Sequence, residues 1–152
     1  MIYLRKFTVY DREWLQKNLL RGYSVDKVIQ TIDEWDTKRR NGYPFEMYAI
    51  TDNTKTVGWI SIQLLEDLIT ARLDLEILPK FRRKGYGKFA MRQLLEVLCR
   101  HEYWHLSARI AKDNTAGIAL HESLGYSLCG EDTEKDGQVF LLYKLETYDW
   151  EV

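Results

Sequence analysis

Two glycines and a group of cations mark the segment of this chain that is best suited to bind a charged ligand. From Arg82 the sequence is Arg-Arg-Lys-Gly-Tyr-Gly-Lys, and an apolar, strand-like run ends just before it at Pro79. Glycine has no Cβ, so the backbone N–H groups of such a turn can converge on an anion. An amphipathic helix follows at once, and its N-terminus adds partial positive charge. The segment therefore predicts a cradle for phosphate groups and a phosphorylated cofactor.

Three polar side chains are placed to act near this turn. Glu76 lies near the end of the preceding run, on its polar face, because side chains of a strand alternate with period two. Asn114 and His121 are seven residues apart in a later helical segment. That spacing puts them on one helix face, about 10 Å apart along the axis.

Hydrophobic periodicity and capping signals predict the elements that carry these residues. The first half is predicted to begin with a strand from Ile2 to Val9. Two helices then form a hairpin: the first begins after Asp11 and is broken at Gly22, and the second begins after Ser24 and ends at Asn41–Gly42. An antiparallel meander follows, with strands from Phe45 to Thr51, Thr56 to Leu65 and Ile69 to Leu78. The second half is predicted to begin with a helix whose buried stripe runs from Ala90 to Leu98, followed by a strand from Trp104 to Ile110. A short helix capped by Asp113 or Asn114 comes next. The last two strands are predicted from Tyr126 to Gly130 and from Val139 to Leu145.

Length and composition narrow the class of protein. A chain of 152 residues is most simply one domain, spanning 1–152. The net charge of -1 argues against a nucleic-acid binder, which needs a broad basic field. We find no apolar run of membrane-spanning length and no signal-peptide core, so we expect no membrane partner and a cytoplasmic location. Cys99 and Cys129 are isolated and are expected to be reduced and structural.

Three motifs follow one another along the chain: the strand end from Leu75 to Pro79, the turn from Arg82 to Gly87, and the helix from Asn114 to Tyr126, which ends in Leu-Gly-Tyr. Together they resemble the GNAT superfamily of acetyl-CoA-dependent N-acetyltransferases over nearly the whole chain. The resemblance implies an α/β (α+β) GNAT fold, with a mixed, mostly antiparallel sheet of about seven strands and about four helices. Such a sheet is splayed between its fourth and fifth strands, here Ile69 to Leu78 and Trp104 to Ile110.

The resemblance also implies how acetyl-CoA, the co-substrate, would lie in that opening. Backbone groups of Ile77 and Leu78 would pair with the pantetheine arm as an added strand does. Asn114 would contact the pantetheine or order the acceptor side. The pyrophosphate would be held by backbone N–H groups of the turn, with added charge from Arg82 or Lys88; the turn residues are Arg83, Lys84, Gly85, Tyr86, Gly87 and Lys88.

Acetyl transfer to an amine needs an uncharged nucleophile and an acid for the departing thiolate. Glu76 is the candidate base, acting directly or through a water, unless it only pairs with a cation such as Arg72. Many family members have a tyrosine acid where this chain has His121. His121 is therefore a candidate acid, or a base that Glu76 orients; otherwise it is a packed histidine, and Tyr126 or Tyr143 supplies the proton.

The function expected from the resemblance is direct transfer of acetyl from acetyl-CoA to a primary amine of a small molecule or of a peptide or protein N-terminus. No metal is expected, and a homodimer is compatible with the family. The acceptor would lie between the helical hairpin and the late strands. Acidic residues before the last strand could attract a cationic acceptor or form only a solvated loop; they are Glu131, Asp132, Glu134 and Asp136.

Three other interpretations compete with this one. Gly85 to Ala90 also fits a dinucleotide fingerprint, but six residues separate it from the strand. The segment from His101 to His105 matches the sequence motif of zinc proteases. The strand pattern that follows it, however, predicts that the two histidines do not share a helix face. A non-catalytic domain of the same fold, which binds acyl-CoA as a sensor, is the strongest alternative.

Overall fold

The computed structural model describes residues 1–101 and 105–147, which form one sheet with helices on both of its faces. The strands are β1 (Ile2–Arg5), β2 (Arg39–Arg40), β3 (Tyr43–Asp52), β4 (Lys55–Leu64), β5 (Thr70–Ile77), β6 (His105–Ala111), β7 (Ser127–Thr133) and β8 (Val139–Glu146). The helices are α1 (Arg12–Asn18), α2 (Val25–Asp36), α3 (Tyr86–His101) and α4 (Thr115–Ser123). Short 3₁₀ turns occupy Val9–Asp11 and Pro79–Phe81.

The sheet has the order β1-β3-β4-β5-β6-β8-β7, and β2 pairs with β3 as a short addition. Every pairing is antiparallel except that of β5 with β6. This confirms the mixed, mostly antiparallel sheet and the four flanking helices that the sequence predicts, and within the described residues β2 brings the strand number to eight.

The sheet divides the apolar residues into two cores. Side chains of β5 such as Ala71 and Leu73 pack with α3 on one face, where Met91 and Leu95 of the helix are fully buried. On the other face, α1 and α2 bury Leu15 and Val28 against β3. The burial of alternate β5 residues follows from the period of two along a strand.

The first predicted strand is too long. β1 ends at Arg5 because Thr8 and Asp11 form a capping box that turns the chain into α1. The Asp11 carboxylate accepts hydrogen bonds from the Thr8 backbone and from both Nη atoms of Arg5, each at 2.8 Å. Asp11 therefore stabilises the entry to α1 through its contact with Arg5 rather than by capping the helix directly.

The second helix ends earlier than its sequence pattern suggests. α2 begins at the predicted Ser24 cap but stops at Asp36, and Arg39 and Arg40 then form β2 against Pro44 and Tyr43. Asn41 and Gly42 make the hairpin turn with φ of 56° and 82°. Two left-handed residues in succession are the geometry of a two-residue β-hairpin, which the sequence analysis assigned only as a helix end.

Gly58 sets the position of the β5 end. A bulge at Val57 shifts the register of β3 and β4, and Gly58 then lies opposite Ile77. A Cβ at Gly58 would be 2.1 Å from the carbonyl oxygen of Glu76, which only backbone movement could relieve. The glycine therefore allows an unusually close approach of β4 and β5 at the point where the cofactor motif begins.

Candidate active site

The sheet opens between β5 and β6, and this opening is the centre of the site. The two strands pair in parallel only at three positions, the last of them Arg72 with Ser107. Beyond that position β5 continues to Ile77 and β6 continues to Ala111, which instead pairs with Phe140 of β8. The predicted splay between these strands is thus confirmed, and it leaves a strip of unpaired backbone along the last residues of β5.

Hydrogen-bond direction decides which β5 residues face this opening. Consecutive residues of an antiparallel pair turn their backbone groups alternately toward and away from the partner strand. Leu78 turns toward β4, because its N–H donates to the Val57 carbonyl at 2.9 Å, and its own carbonyl accepts from the Phe81 N–H. Ile77 and Leu75 face the other way, into the opening.

This geometry changes one of the two predicted pantetheine positions. Ile77 is placed as expected, but the backbone groups of Leu78 are both engaged within the protein. Leu75 presents its backbone where the sequence analysis expected Leu78 to do so. The error came from taking two consecutive residues, when the alternation of a strand exposes every second one.

The cationic turn lies at the end of this strip, as predicted. Arg83 has a φ of 63° and Gly85 a φ of 83°, so the backbone reverses tightly before α3 begins at Tyr86. The side chain of Arg82 bends back, and its Nε donates to the Ile77 carbonyl at 2.8 Å. Arg82 therefore joins the turn to the end of β5, while its terminal nitrogens remain available for an anion.

Tyr86 fixes the turn from the opposite side. Its hydroxyl donates to the Asp52 carboxylate at 2.7 Å, which links the start of α3 to the end of β3. The hydrogen bond raises the pKa of the Tyr86 phenol and lowers the pKa of the Asp52 carboxyl. The backbone N–H of Tyr86 and the glycine turn are thus held by side-chain contacts as well as by the helix.

Gly87 is where β5, α3 and α4 converge. A Cβ there would lie 3.2 Å from a methyl group of Leu75 and 3.5 Å from one of Leu120. The first of these is tighter than side chains usually pack, so the glycine lets the N-terminal turn of α3 sit close to the opening. The N-terminus of α3 is thereby brought next to the unpaired backbone of β5.

Asn114 is the N-cap of α4, and one atom of its side chain is used in that cap. Its Oδ1 accepts from the Gly117 N–H at 3.0 Å, which is the bond of an N-cap. The side-chain amide nitrogen remains a donor. Asn114 therefore stabilises the helix that carries His121 and keeps one polar group for a ligand.

His121 is buried in α4, with only 7% of its surface exposed. Its Nδ1 is 2.8 Å from the Gly117 carbonyl. A carbonyl only accepts hydrogen bonds, so Nδ1 carries the proton, and Nε2 holds the lone pair of the neutral ring. Burial lowers the pKa of His121 from 6.5, against smaller raising effects of the Gly117 bond and of the Asp74 charge.

This arrangement suits a proton acceptor better than a proton donor. A neutral imidazole with a free Nε2 lone pair can take a proton, whereas an acid must start protonated. His121 therefore stays a predicted catalytic residue. It is not among the lining residues of the two clefts described below, and its Nδ1 contacts Gly117 rather than Glu76.

Tyr126 packs against His121 and is poorly suited to the acid role. The two rings meet edge to face with centroids 4.9 Å apart. The Tyr126 hydroxyl is buried without a hydrogen-bond partner among the described residues, and burial raises the pKa of its phenol. Burial and the Glu122 charge raise the pKa of Tyr143 as well. Both phenols thus hold their protons more firmly than a free tyrosine.

Glu76 and Asp74 lie on the face of β5 that carries α1 and α2, in two neighbouring clefts. Glu76 is exposed beside α1, in a cleft that Trp14 and Phe81 also line. Asp74 lies next to α2 and receives the Arg72 Nε at 3.0 Å. Arg72 pairs with Asp74, so the ion pair that the sequence analysis considered for Glu76 is made by its neighbour.

The cleft around Asp74, which we call the α2 cleft, has a volume of about 1020 Å³. It lies between α2 and the middle of β4 and β5, so it adjoins the helical hairpin as expected for the acceptor, but its described lining includes no residue of the late strands. Its polar lining includes Lys27, Glu34, Arg39, Arg40, Trp59, Ser61, Arg72 and Asp74. Asp74 and the two arginines of β2 could not be predicted as lining residues, because no short motif contains them.

The acidic residues before β8 are largely occupied. Arg109 binds Asp132 at 3.0 Å and Glu134 at 2.8 Å, and Glu131 lies 3.9 Å from Lys112. They form ion pairs on the outer surface of the sheet and are absent from the lining of the α2 cleft. Glu131 and Asp132 belong to β7 rather than to a loop, but the exposure and ion pairs of this segment favour a solvated surface over a binding site for the acceptor.

The segment that matches the zinc-protease motif does not form the helix that such a site needs. α3 ends at His101 and β6 begins at His105, so the two histidines do not share a helical turn; residues 102–104 lie outside the described part of the chain. Residues 1–101 and 105–147 contain no cluster of side chains that would hold a metal ion. No helix in the same ranges is long and apolar enough to cross a membrane.

Comparison with known proteins identifies the family. The model of the acetyltransferase (GNAT) family matches residues 9–126. The [ribosomal protein bS18]-alanine N-acetyltransferase of Escherichia coli K12 is 28% identical over 80 residues, which is 53% of this chain and 53% of that protein. The chain thus matches about half the length of this curated relative.

Solved structures share the fold over almost the whole chain. A probable acetyltransferase superposes with a TM-score of 0.84 at 18% identity, covering 98% of this chain and 94% of the other. RimL, a ribosomal L7/L12 alpha-N-protein acetyltransferase solved with coenzyme A, gives 0.81 at 15% identity, covering 95% and 93%. With a family model that spans most of its length, this chain belongs to the GNAT family of acetyltransferases.

Proposed function

We propose that this protein is an N-acetyltransferase, which transfers the acetyl group of acetyl-CoA directly to a primary amine of a small molecule or of a peptide or protein N-terminus. The observation that carries the proposal is the opening between β5 and β6, where the backbone of Leu75 and the N–H of Ile77 are unpaired, with a cationic turn at its end whose Arg82 already holds the Ile77 carbonyl. An amide-containing arm can pair with the strip, and a pyrophosphate can bind the helix N-terminus beyond it.

The residues of the opening fit acetyl-CoA in order and in chemistry. Pantetheine has two amides, which match the exposed N–H and carbonyl groups of alternate β5 residues. The diphosphate would meet the backbone from Arg83 to Lys88, with charge from Arg82 and Lys88. The N-terminus of α3 adds favourable dipole charge at the same place. RimL, which shares this fold, was solved with coenzyme A.

Proton transfer is assigned to His121. As the amine attacks the thioester carbon, a C–N bond forms, and the amine proton moves to Nε2 of the neutral ring. The C–S bond then breaks, and the imidazolium returns that proton to the departing thiolate, which leaves an amide and free CoA thiol. The low pKa that burial gives the ring favours this return.

Glu76 remains a predicted second base, which acts through a water. Its carboxylate is exposed and lies in the cleft next to the α2 cleft. A carboxylate is a weak base for an ammonium group, so we expect a relay through water rather than direct abstraction. Its contribution is expected to be smaller than that of His121.

An acceptor screen tests the proposal. Purified protein is incubated with acetyl-CoA and a panel of amines, free thiol is followed with a thiol reagent, and products are identified by mass spectrometry. We expect amine-dependent thiol release and one acetylated product per thiol. His121→Gln should bind acetyl-CoA as the wild type does and turn over slowly.

The same screen separates an enzyme from a sensor. Tight acetyl-CoA binding without turnover on any amine would favour the non-catalytic alternative. A cytoplasmic location and a homodimer are further proposals, which fractionation and light scattering would test.

A further inference from the structure

We infer that the acceptor carries an anionic group, which Arg39 and Arg40 recognise at the outer end of the α2 cleft while Asp74 receives the amine. This inference rests on the proposed function, since it names the class of amine that the same site would acetylate. The acceptor we favour is an acidic N-terminal peptide rather than a polyamine.

The charges that line the α2 cleft are unequal. Four cations face it, and the carboxylates of Glu34 and Asp74 are the acidic groups among its described lining residues. Asp74 is already paired with Arg72. The remaining charged groups of the cleft are the three cations Lys27, Arg39 and Arg40 and one carboxylate, Glu34. The outer part of the cleft therefore has an excess of positive charge, which attracts an anion and repels a dication.

The two arginines of β2 are held in place without an acidic partner. Arg39 donates from Nη1 to the Gly42 carbonyl at 3.0 Å, and the Arg40 guanidinium lies 5.1 Å from the centre of the Phe45 ring. Neither forms an ion pair in the described part of the chain. A guanidinium that is positioned but unneutralised is well suited to bind a carboxylate or phosphate through two parallel hydrogen bonds.

Trp59 gives an independent indication from the inner part of the cleft. Its indole N–H is buried and has no hydrogen-bond partner among the described residues. An indole nitrogen only donates, so a carbonyl, a carboxylate or a water oxygen would satisfy it. A peptide supplies such oxygens next to its terminal amine, whereas a polyamine has none.

The distance across the cleft favours a peptide over a free amino acid. Asp74 is on β5 and the arginines are on β2, three strands away, so their backbones are at least about 14 Å apart at 4.8 Å per strand. The registers of β2, β3 and β4 also place Arg39 near the level of Ala71, about 10 Å along β5 from Asp74, so the two backbones are about 17 Å apart in all. Side chains that extend from both ends span about 10 Å of this distance, and the remaining gap of about 7 Å corresponds to about two residues of extended chain. The amine and the anion are thus expected on different residues of one short peptide.

Acetylation of matched peptides tests this inference. Four-residue peptides with a C-terminal amide and two glutamates, two glutamines or two arginines at their third and fourth positions differ only in side-chain charge. We expect kcat/KM to be at least about 10-fold higher for the glutamate peptide than for the glutamine peptide, and lowest for the arginine peptide. Free glutamate and spermidine, as small acidic and polycationic amines, should be poorer than the glutamate peptide.

Three variants assign the preference to the cleft. The double change Arg39→Gln with Arg40→Gln should reduce the glutamate preference, taken as the ratio of kcat/KM for the glutamate and glutamine peptides, to about 2-fold or less. Glu34→Gln should increase the preference, because it removes the competing carboxylate. Lys135→Gln, which removes a cation from the turn between β7 and β8, is the matched control and should change nothing. Thermal melting of each variant checks that the fold is intact.

Binding of the N-acetylated product peptides, measured by titration calorimetry with free CoA present, tests the cleft without turnover. The inference is supported if the acidic product binds more tightly than the glutamine product and if this difference is lost in the double arginine variant. This holds even if no amine is acetylated, and in that case only the proposed function fails. Equal or better use of the glutamine peptide, the arginine peptide or spermidine overturns the inference while the function stands. A glutamate preference that survives the double change overturns it as well.

Discussion

The two halves of the site are built from different materials. The cofactor half consists of backbone: the unpaired strip at Leu75 and Ile77, the turn before α3, and glycines that allow close approach. The acceptor half consists of charged side chains on α2, β2 and the outer face of β5. Backbone can bind the same cofactor in any sequence that keeps the geometry, whereas side chains can change the acceptor without changing the fold.

From this difference we expect backbone changes in the cofactor half to alter the stability of the fold. Side-chain changes in the acceptor half should alter only the rate of the reaction and the selectivity for the acceptor. The largest effect is expected for Gly58→Ala. Its Cβ would lie 2.1 Å from the Glu76 carbonyl oxygen, so β4 and β5 must separate at the opening. We expect a loss of about 3 kcal/mol in the free energy of unfolding, measured by denaturant titration, and weaker acetyl-CoA binding.

Gly130→Ala is the control for that change. Gly130 also lies in a strand, but its Cβ would meet only a Leu142 methyl group at 3.6 Å, an ordinary contact. We expect a change within about 0.5 kcal/mol. Similar destabilisation by both alanines would show that the close approach at Gly58 has no special importance.

The next largest effect is expected for His121→Gln. Glutamine has no nitrogen that can accept and return a proton, so kcat should fall by about 100-fold, within the usual range for a general base. The affinity for acetyl-CoA, measured by calorimetry, should stay within about 2-fold. An unchanged kcat would remove His121 from the mechanism and return attention to Glu76.

A third prediction concerns the two carboxylates of β5. Asp74→Asn should raise the KM of the amine by about 10-fold, because its carboxylate lies in the α2 cleft beside Arg72. Glu76→Gln should lower kcat by less than about 10-fold, below the usual range for a general base, because its carboxylate is exposed in the neighbouring cleft. Steady-state kinetics with one acceptor measures both. The reverse order would place the amine nearer α1.

A smaller effect is expected for Arg82→Lys. Lysine keeps the charge but loses the Nε–H that donates to the Ile77 carbonyl at 2.8 Å. Loss of one charge-assisted bond at a partly exposed site should raise the KM of acetyl-CoA by about 5-fold. Arg82→Ala, which removes the charge too, should raise it further. Equal values for both variants would mean that the bond to Ile77 does not position the turn.

The subtlest prediction is the titration of His121 itself. Burial lowers its pKa, so the ring should titrate below 6.5 and be neutral at pH 7. NMR chemical shifts of the ring, followed from pH 8 to pH 4.5 in the free protein, measure this directly. A midpoint at or above 6.5 would mean that the ring is charged often enough to start as an acid.

The strand, turn and helix of the proposed cofactor half could be placed from the sequence because their signals are local. The strand end, the glycine turn and the Asn114 helix each lie within a dozen residues and have fixed spacing. The exception was Leu78, because the choice between Leu75 and Leu78 depends on which strand edge is already paired. That pairing is set by the bulge at Val57 and the close approach at Gly58, some twenty residues away.

The acceptor half could not be predicted in this way. Arg39 and Arg40 were assigned to the end of a helix, but the Asn41–Gly42 hairpin pairs them with β3 at one end of the α2 cleft. The orientation of His121 depends on the Gly117 carbonyl one turn before it, a contact that helical spacing allows but does not require. Long-range placement of side chains, rather than local pattern, decides both features.

Residue-specific amide hydrogen exchange with and without acetyl-CoA tests the central claim most directly. If the cofactor pairs with the open edge of β5, the N–H groups of Leu75 and Ile77 should exchange more slowly when it is bound. The N–H of Leu78, which already donates to Val57, should change little. Unchanged exchange at Leu75 and Ile77 in the presence of saturating acetyl-CoA would contradict the proposed binding site.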